Sequence, residues 1–204
     1  MKKLIAAAAL SLFATSAYGA TITYTNVISG YTDFVADVPV PQFNPQLGTL
    51  RNVSVQAQYI EKRTIAFENR GTGNQTFSTF TTNTINLSVP GSIDSGYTSW
   101  FSSTKLLSSF DGIRDYAGSS GWTTNSTTTN SVQIPVNSMI PFAGYSVIPI
   151  HVVAVGKFTG NYPGGAYAQS VDDIVEVRVL VSYTFDPCLF VYSPNRKSKK
   201  TDEI

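Results

Sequence analysis

The sequence is short of charge, cysteine and histidine. Of its 204 residues, 13% are Asp, Glu, Lys or Arg, about half the ~25% of an average globular chain. No dense Lys/Arg footprint is present, which argues against nucleic acid as a partner. Cys188 is the single cysteine, so no disulfide closes within the chain. Its thiol either cross-links two chains or stays buried, and stability must come from a packed core. His151 is the single histidine, too little for a Cys/His zinc site or for a nucleophilic triad with an assignable base. Lying between Ile150 and Val152, it reads as an ordinary strand residue. P-loop, dinucleotide glycine fingerprint and Gly-x-Ser-x-Gly are absent.

Hydroxyl groups are abundant instead. Ser and Thr number 23 each, beside 15 Gly and 10 Pro, and all four are poor helix formers. The chain is 42% hydrophobic, with 11 Tyr and 12 Phe, which supplies enough apolar surface to fold. The length suits one domain with a full core.

Met1-Lys2-Lys3, the apolar run Leu4–Ala14 and the small residues Ala17 and Gly19 have the three parts of a secretory signal peptide. The expected signal is residues 1–19, cut between Gly19 and Ala20, with Ala20 the second choice for the last residue removed. The run is about half of the ~20 residues a membrane span needs. Between Ala20 and Pro194 there are 8 basic and 11 acidic residues. The body is therefore weakly acidic, and the surplus positive charge sits in a tail, residues 188–204, expected to be disordered.

Period-two patterns dominate the body. Val175, Val177, Val179, Val181, Tyr183 and Phe185 alternate with Glu176, Arg178, Leu180, Ser182 and Thr184, the signature of a strand with one face on a core. Val53–Tyr59 and Ile85–Val89 alternate likewise. Ala20–Ser29, Thr64–Glu68, Gln75–Phe80, Ser131–Val136 and Val147–Val155 are further candidates. Turn signals at Asn69–Asn74, Pro90-Gly91, Gly118–Gly121 and Asn161–Gly165 separate them. Thr98–Thr129, dense in Ser, Thr and Gly, reads as long loops with a short helix near Ser102–Phe110. The expectation is all-β: a single antiparallel β-sandwich, jelly-roll-like, over residues 20–187.

Three segments carry a resemblance. They are Gln42-Phe43-Asn44-Pro45-Gln46-Leu47-Gly48-Thr49-Leu50 leading into Val53 and Val55; Phe110-Asp111-Gly112 with Asp115-Tyr116 and Gly118-Ser119-Ser120-Gly121; and Gly156–Gly160 followed by the strand Val175–Phe185. Together they are similar to the choice-of-anchor E domain of exported bacterial proteins, over nearly all of residues 20–187. Asn44 and Ile113–Asp115 depart from that family's usual letters. The resemblance implies an envelope or extracellular location and no reaction. It also implies a C-terminal sorting signal, often of Pro-Glu-Pro type. Residues 186–197 show no such motif, no Leu-Pro-x-Thr-Gly and no 17–25-residue apolar span. Either release of the protein or a tail that has replaced the anchor is therefore expected.

Two carboxylate pairs, Asp111 with Asp115 and Asp172 with Asp173, are the only candidates for hydrolysis, in positions read as loops where Asp commonly bonds its own backbone. The first pair with nearby carbonyls could also offer calcium hard oxygen ligands, though two carboxylates are few. Tyr97, Trp100, Phe101 and Trp122 form an aromatic group. Trp100 and Trp122 are the candidate platform for a sugar ring, the alternative being that such residues cap a sandwich core. The sequence thus predicts an exported, non-catalytic, structural or adhesive β-sandwich that is secreted or at the cell surface. Its expected partners are envelope or matrix components, polysaccharide among them, and no cofactor is required. A carbohydrate-binding module is the first alternative and a secreted hydrolase using paired Asp the second.

Overall fold

The computed structural model describes residues 7–13, 19–162 and 165–188. Nine strands follow one another: β1 (Ala7–Phe13), β2 (Ala20–Tyr31), β3 (Phe34–Pro41), β4 (Gly48–Asn69), β5 (Gln75–Ser88), β6 (Ser95–Leu107), β7 (Gly121–Ile134), β8 (Val147–Asn161) and β9 (Tyr167–Pro187). One sheet has the order β1-β2-β9-β4-β7 and the other β3-β8-β5-β6, with every pairing antiparallel. From β2 onward the partners nest: β2 with β9, β3 with β8, β4 with β7, β5 with β6. This is the wrapped order of a jelly roll, two Greek keys in two facing sheets. The all-β sandwich expected from the alternation is the fold.

The alternation works as the sequence predicts, because successive side chains point to opposite faces. Val53, Val55, Ala57 and Tyr59 of β4 and Val175, Val177, Val179, Val181, Tyr183 and Phe185 of β9 face inward at 6% exposure or less. They meet Ile85 and Leu87 of β5 and Ile148, Ile150 and Val152 of β8 in the main core. A second, smaller apolar cluster of Ile65, Phe67, Phe77 and Leu107 fills the other end of the sandwich, with Phe101, Trp122, Phe158 and Tyr162 against it.

The strands are longer than their legible cores. Val53–Tyr59 and Thr64–Glu68 are two parts of β4, and Gln75–Phe80 and all of Ile85–Val89 but its last residue belong to β5. Thr98–Thr129 is not loop: it contains most of β6 and β7, and no helix forms over Ser102–Phe110. Only 108–120 remains irregular. Asp172 and Asp173 likewise lie in β9 rather than in a loop. Phe34–Pro41, whose prolines hide its strand character in the sequence, is an edge strand, where Pro39 and Pro41 are tolerated. Cys188 is exposed rather than buried, its N–H donating to the Leu47 carbonyl at 3.0 Å. Met1–Lys3, Ala17 and the tail beyond Cys188 lie outside the described residues. Within them, no helix is long and apolar enough to cross a membrane.

Candidate functional site

Between the two apolar clusters the sandwich interior is polar. Glu61 and Arg63 of β4, Asp173 of β9, Asn83, Thr79 and Thr81 of β5 and Ser99 of β6 all occupy inward positions. Arg63 is 2% exposed, Glu61 1%, Asn83 1% and Asp173 8%. Register explains their convergence, since Arg63 lies opposite Asp173 in the β4–β9 ladder. The facing sheet contributes β5 and β6, whose ladder also puts Asn83 opposite Ser99.

The guanidinium organises this belt. Arg63 Nε donates to Asp173 Oδ2 at 3.1 Å. Its Nη2 donates to Glu61 Oε2 and to Ser99 Oγ, and Ser99 Oγ donates onward to Glu61 Oε2. Asn83 Nδ2 bridges both Asp173 oxygens, at 3.0 and 2.9 Å. Two carboxylates thus share one buried cation. Burial pushes the Glu61 carboxyl up from 4.5, against the pull of Ser99 and Arg63. Nearby, Tyr59 stacks on Tyr97 with centroids 5.2 Å apart, and burial raises its phenol to about 12.

Several atoms of the belt lack a partner: Arg63 Nη1, Thr79 Oγ1, Thr81 Oγ1 and Asn83 Oδ1. Buried polar groups are normally paired. A cavity of about 260 Å³ lies beside them, lined by Thr81 and Asp173 at the belt and by Phe158, Val171, Asp33 and Lys157. Topology makes the opening. β2 leaves β9 after Tyr31 opposite Ile174, and β3 joins β8 at Phe34 opposite Ala154. Residues beyond 154 in β8 and before 174 in β9 therefore lose their edge neighbours. The link Thr32-Asp33 crosses between sheets at that point. Thr32 N–H donates to the Asp173 carbonyl at 3.0 Å, and Asp33, at φ 67°, accepts from Gly156 N–H at 3.0 Å. Gly156 is needed there, because a Cβ would meet Thr32 at 2.7 Å.

The sequence-derived candidates fall elsewhere, except Asp173. Asp172 and Asp173 are adjacent in a strand and point to opposite faces, Asp172 exposed and Asp173 buried, so they cannot act as a facing pair. Asp111 Oδ1 accepts from Ile113 N–H at 3.0 Å and Asp115 Oδ1 from Ala117 N–H at 2.9 Å. Both are turn acceptors. Among the described residues no three His, Cys, Asp or Glu side chains are grouped to hold a metal. The loop they shape is clamped from below by buried Glu68, which accepts from Ser120 Oγ at 2.5 Å and Tyr116 N–H at 2.7 Å. His151 is exposed and lies 2.8 Å from its register partner Asp37.

Trp100 and Trp122 are in strands and do not form one platform. Trp122, on β7, faces inward and stacks on Phe67 at 5.6 Å. Trp100, on β6 of the other sheet, faces outward and is 69% exposed. Its neighbour on that outer face is Phe80 of β5, 46% exposed, because Thr82 lies opposite Trp100 and Phe80 opposite Ser102.

Comparison with known proteins adds little to this geometry. No family model matches the chain, and no curated protein matches it. One solved structure with some likeness is described as the T13 IBDV viral particle. It shares 11% identity at a TM-score of 0.16, over 82% of this chain and 40% of that one.

Proposed function

We propose that this chain is an exported, non-catalytic β-sandwich that works by adhesion in the envelope or extracellular matrix, with the outer face of the four-stranded sheet as its contact surface. The observation that carries this reading is that Trp100 and Phe80, both exposed, stand at diagonal register positions on that face. They stand among the hydroxyls of Thr82, Thr84, Thr98 and Ser102. Aromatic faces with hydroxyls around them suit the C–H faces and hydroxyl rims of sugar rings, so matrix polysaccharide is the partner class. The resemblance to choice-of-anchor E domains and the signal-like start support export. The divergence of Asp172 and Asp173, and the use of Asp111 and Asp115 as turn acceptors, weigh against the hydrolase alternative.

The test is pull-down on insoluble polysaccharides and on native cell envelopes. Retention lowered about tenfold or more by Trp100→Ala and by Phe80→Ala, with Trp100→Phe intermediate, supports the reading. Retention unchanged in both alanine variants overturns it.

A further inference from the structure

We infer that the cavity beside the polar belt is a binding site for a small neutral polyol or a single sugar residue. This site lies between the sheets, apart from the outer face that carries Trp100, and stands independently of the adhesive reading.

The first argument is its chemistry. Thr81 is 2% exposed, lines the cavity, and its Oγ1 has no partner. Asn83 Oδ1, also unpartnered, lies 3.1 Å from where a Cβ on Gly156 would sit, and Gly156 is part of the cavity wall. One of these atoms can both donate and accept; the other only accepts. Charges of both signs lie at the site: Asp33 and Asp173 line it, and Asp173 is held by the buried Arg63, whereas the Lys157 side chain shares the outward parity of its register partner Thr82. A bare cation would meet the neighbouring guanidinium of Arg63, and an anion would meet the two carboxylates of Asp33 and Asp173. A hydroxyl group, which donates and accepts without charge, satisfies the set. Phe158 and Val171 supply an apolar wall for the carbon side of such a ligand.

The second argument is size. At about 260 Å³ the cavity far exceeds the ~10–15 Å³ that one structural water occupies. It falls short of the ~300–1,000 Å³ pockets that hold drug-sized ligands. A few-carbon polyol or one sugar ring fits between these limits.

Titration of the ¹⁵N-labelled protein with xylitol and with glucose, followed by amide NMR, tests the site. Saturable shifts confined to Thr81, Asn83, Gly156 and Asp173 are expected. Thr81→Val, which keeps shape and removes the hydroxyl, should weaken binding about tenfold, while Trp100→Ala leaves it unchanged. Shifts with calcium chloride or sodium acetate but not with the polyols overturn the proposal. So do absent or unsaturable polyol shifts, and an affinity unaltered in Thr81→Val. Should Thr81→Val not fold, the location of the saturable shifts in the wild-type protein decides.

Discussion

At inward positions 61 and 63, β4 places a carboxylate and a guanidinium where the rest of the strand has Val, Ala, Tyr and Phe. Removing ions from water costs several kcal/mol each, so such a group is costly unless fully paired. Arg63 offsets two carboxylates at once. Arg63→Ala leaves both buried without a cation and is expected to lower stability by about 3–5 kcal/mol in urea denaturation. The pH dependence of Glu61 has a definite sign. Its folded-state carboxyl titrates above 4.5, so the folded protein holds this proton more tightly than the unfolded chain. The stabilisation from that proton is complete below 4.5 and lost as pH rises through the raised folded value. Glu61→Gln cannot titrate. Relative to this variant, the wild type should therefore lose stability as pH rises from 4.5, in urea midpoints measured across pH 4 to 8. A flat difference would show that the Glu61 carboxyl is not raised.

At the scale of the element, the polar belt explains where the sequence was legible and where it was not. Alternation exposes β9 from Val175 onward but breaks off at Asp173. It exposes Val53–Tyr59, then fails at Glu61 and Arg63 and resumes near Ile65. In β5 it fails between Phe77 and Ile85, at Thr79, Thr81 and Asn83. Each gap is an inward position holding a polar residue, so the interruptions of the hydrophobic pattern mark the candidate site. Polar residues recurring at core parity in several strands were the available signal, and only register shows that they meet. Thr98–Thr129, which holds most of β6 and β7, reads as loop for a related reason: its Ser and Thr mask a period that only Phe101, Leu107 and Trp122 reveal, whereas Ser131–Val136 at the end of β7 stays legible as strand. Parity also separates the two tryptophans. Trp100→Ala, on an outer face, should change stability by less than about 0.5 kcal/mol. Trp122→Ala, which removes a ring stacked on Phe67, should cost about 3 kcal/mol. In denaturation of Trp122→Phe, the remaining Trp100 emission should be red-shifted and readily quenched by iodide even in the folded protein.

For the molecule as a whole, the outermost question is what borders the sheets. An unpaired edge is a template for another chain unless charge, proline or a covering segment guards it. In the four-stranded sheet, edge strand β3 carries Asp37, Pro39 and Pro41, and edge strand β6 carries Lys105. The other sheet differs. β7 has neither charge nor proline, and the same holds for β2. β2 is covered by β1, which pairs from Ala7 opposite Val27 to Phe13 opposite Thr21. β1 lies within the segment read as a signal peptide. Cleavage after Gly19 would strip β2 and leave both borders of that sheet unguarded, a head-to-tail arrangement that permits open chains of copies. The chain beginning at Ala20 is therefore expected to associate with rising concentration in light scattering. Thr25→Lys places a charge on the outward face of the bare strand, since residue 25 alternates with inward Tyr24 and Asn26, and should keep that chain monomeric. A chain from Ala20 that stays monomeric at millimolar concentration would mean that the twist or outer residues of β2 guard the edge without charge. Association unaffected by Thr25→Lys would move the contact to another surface, with the Trp100 face the next to test.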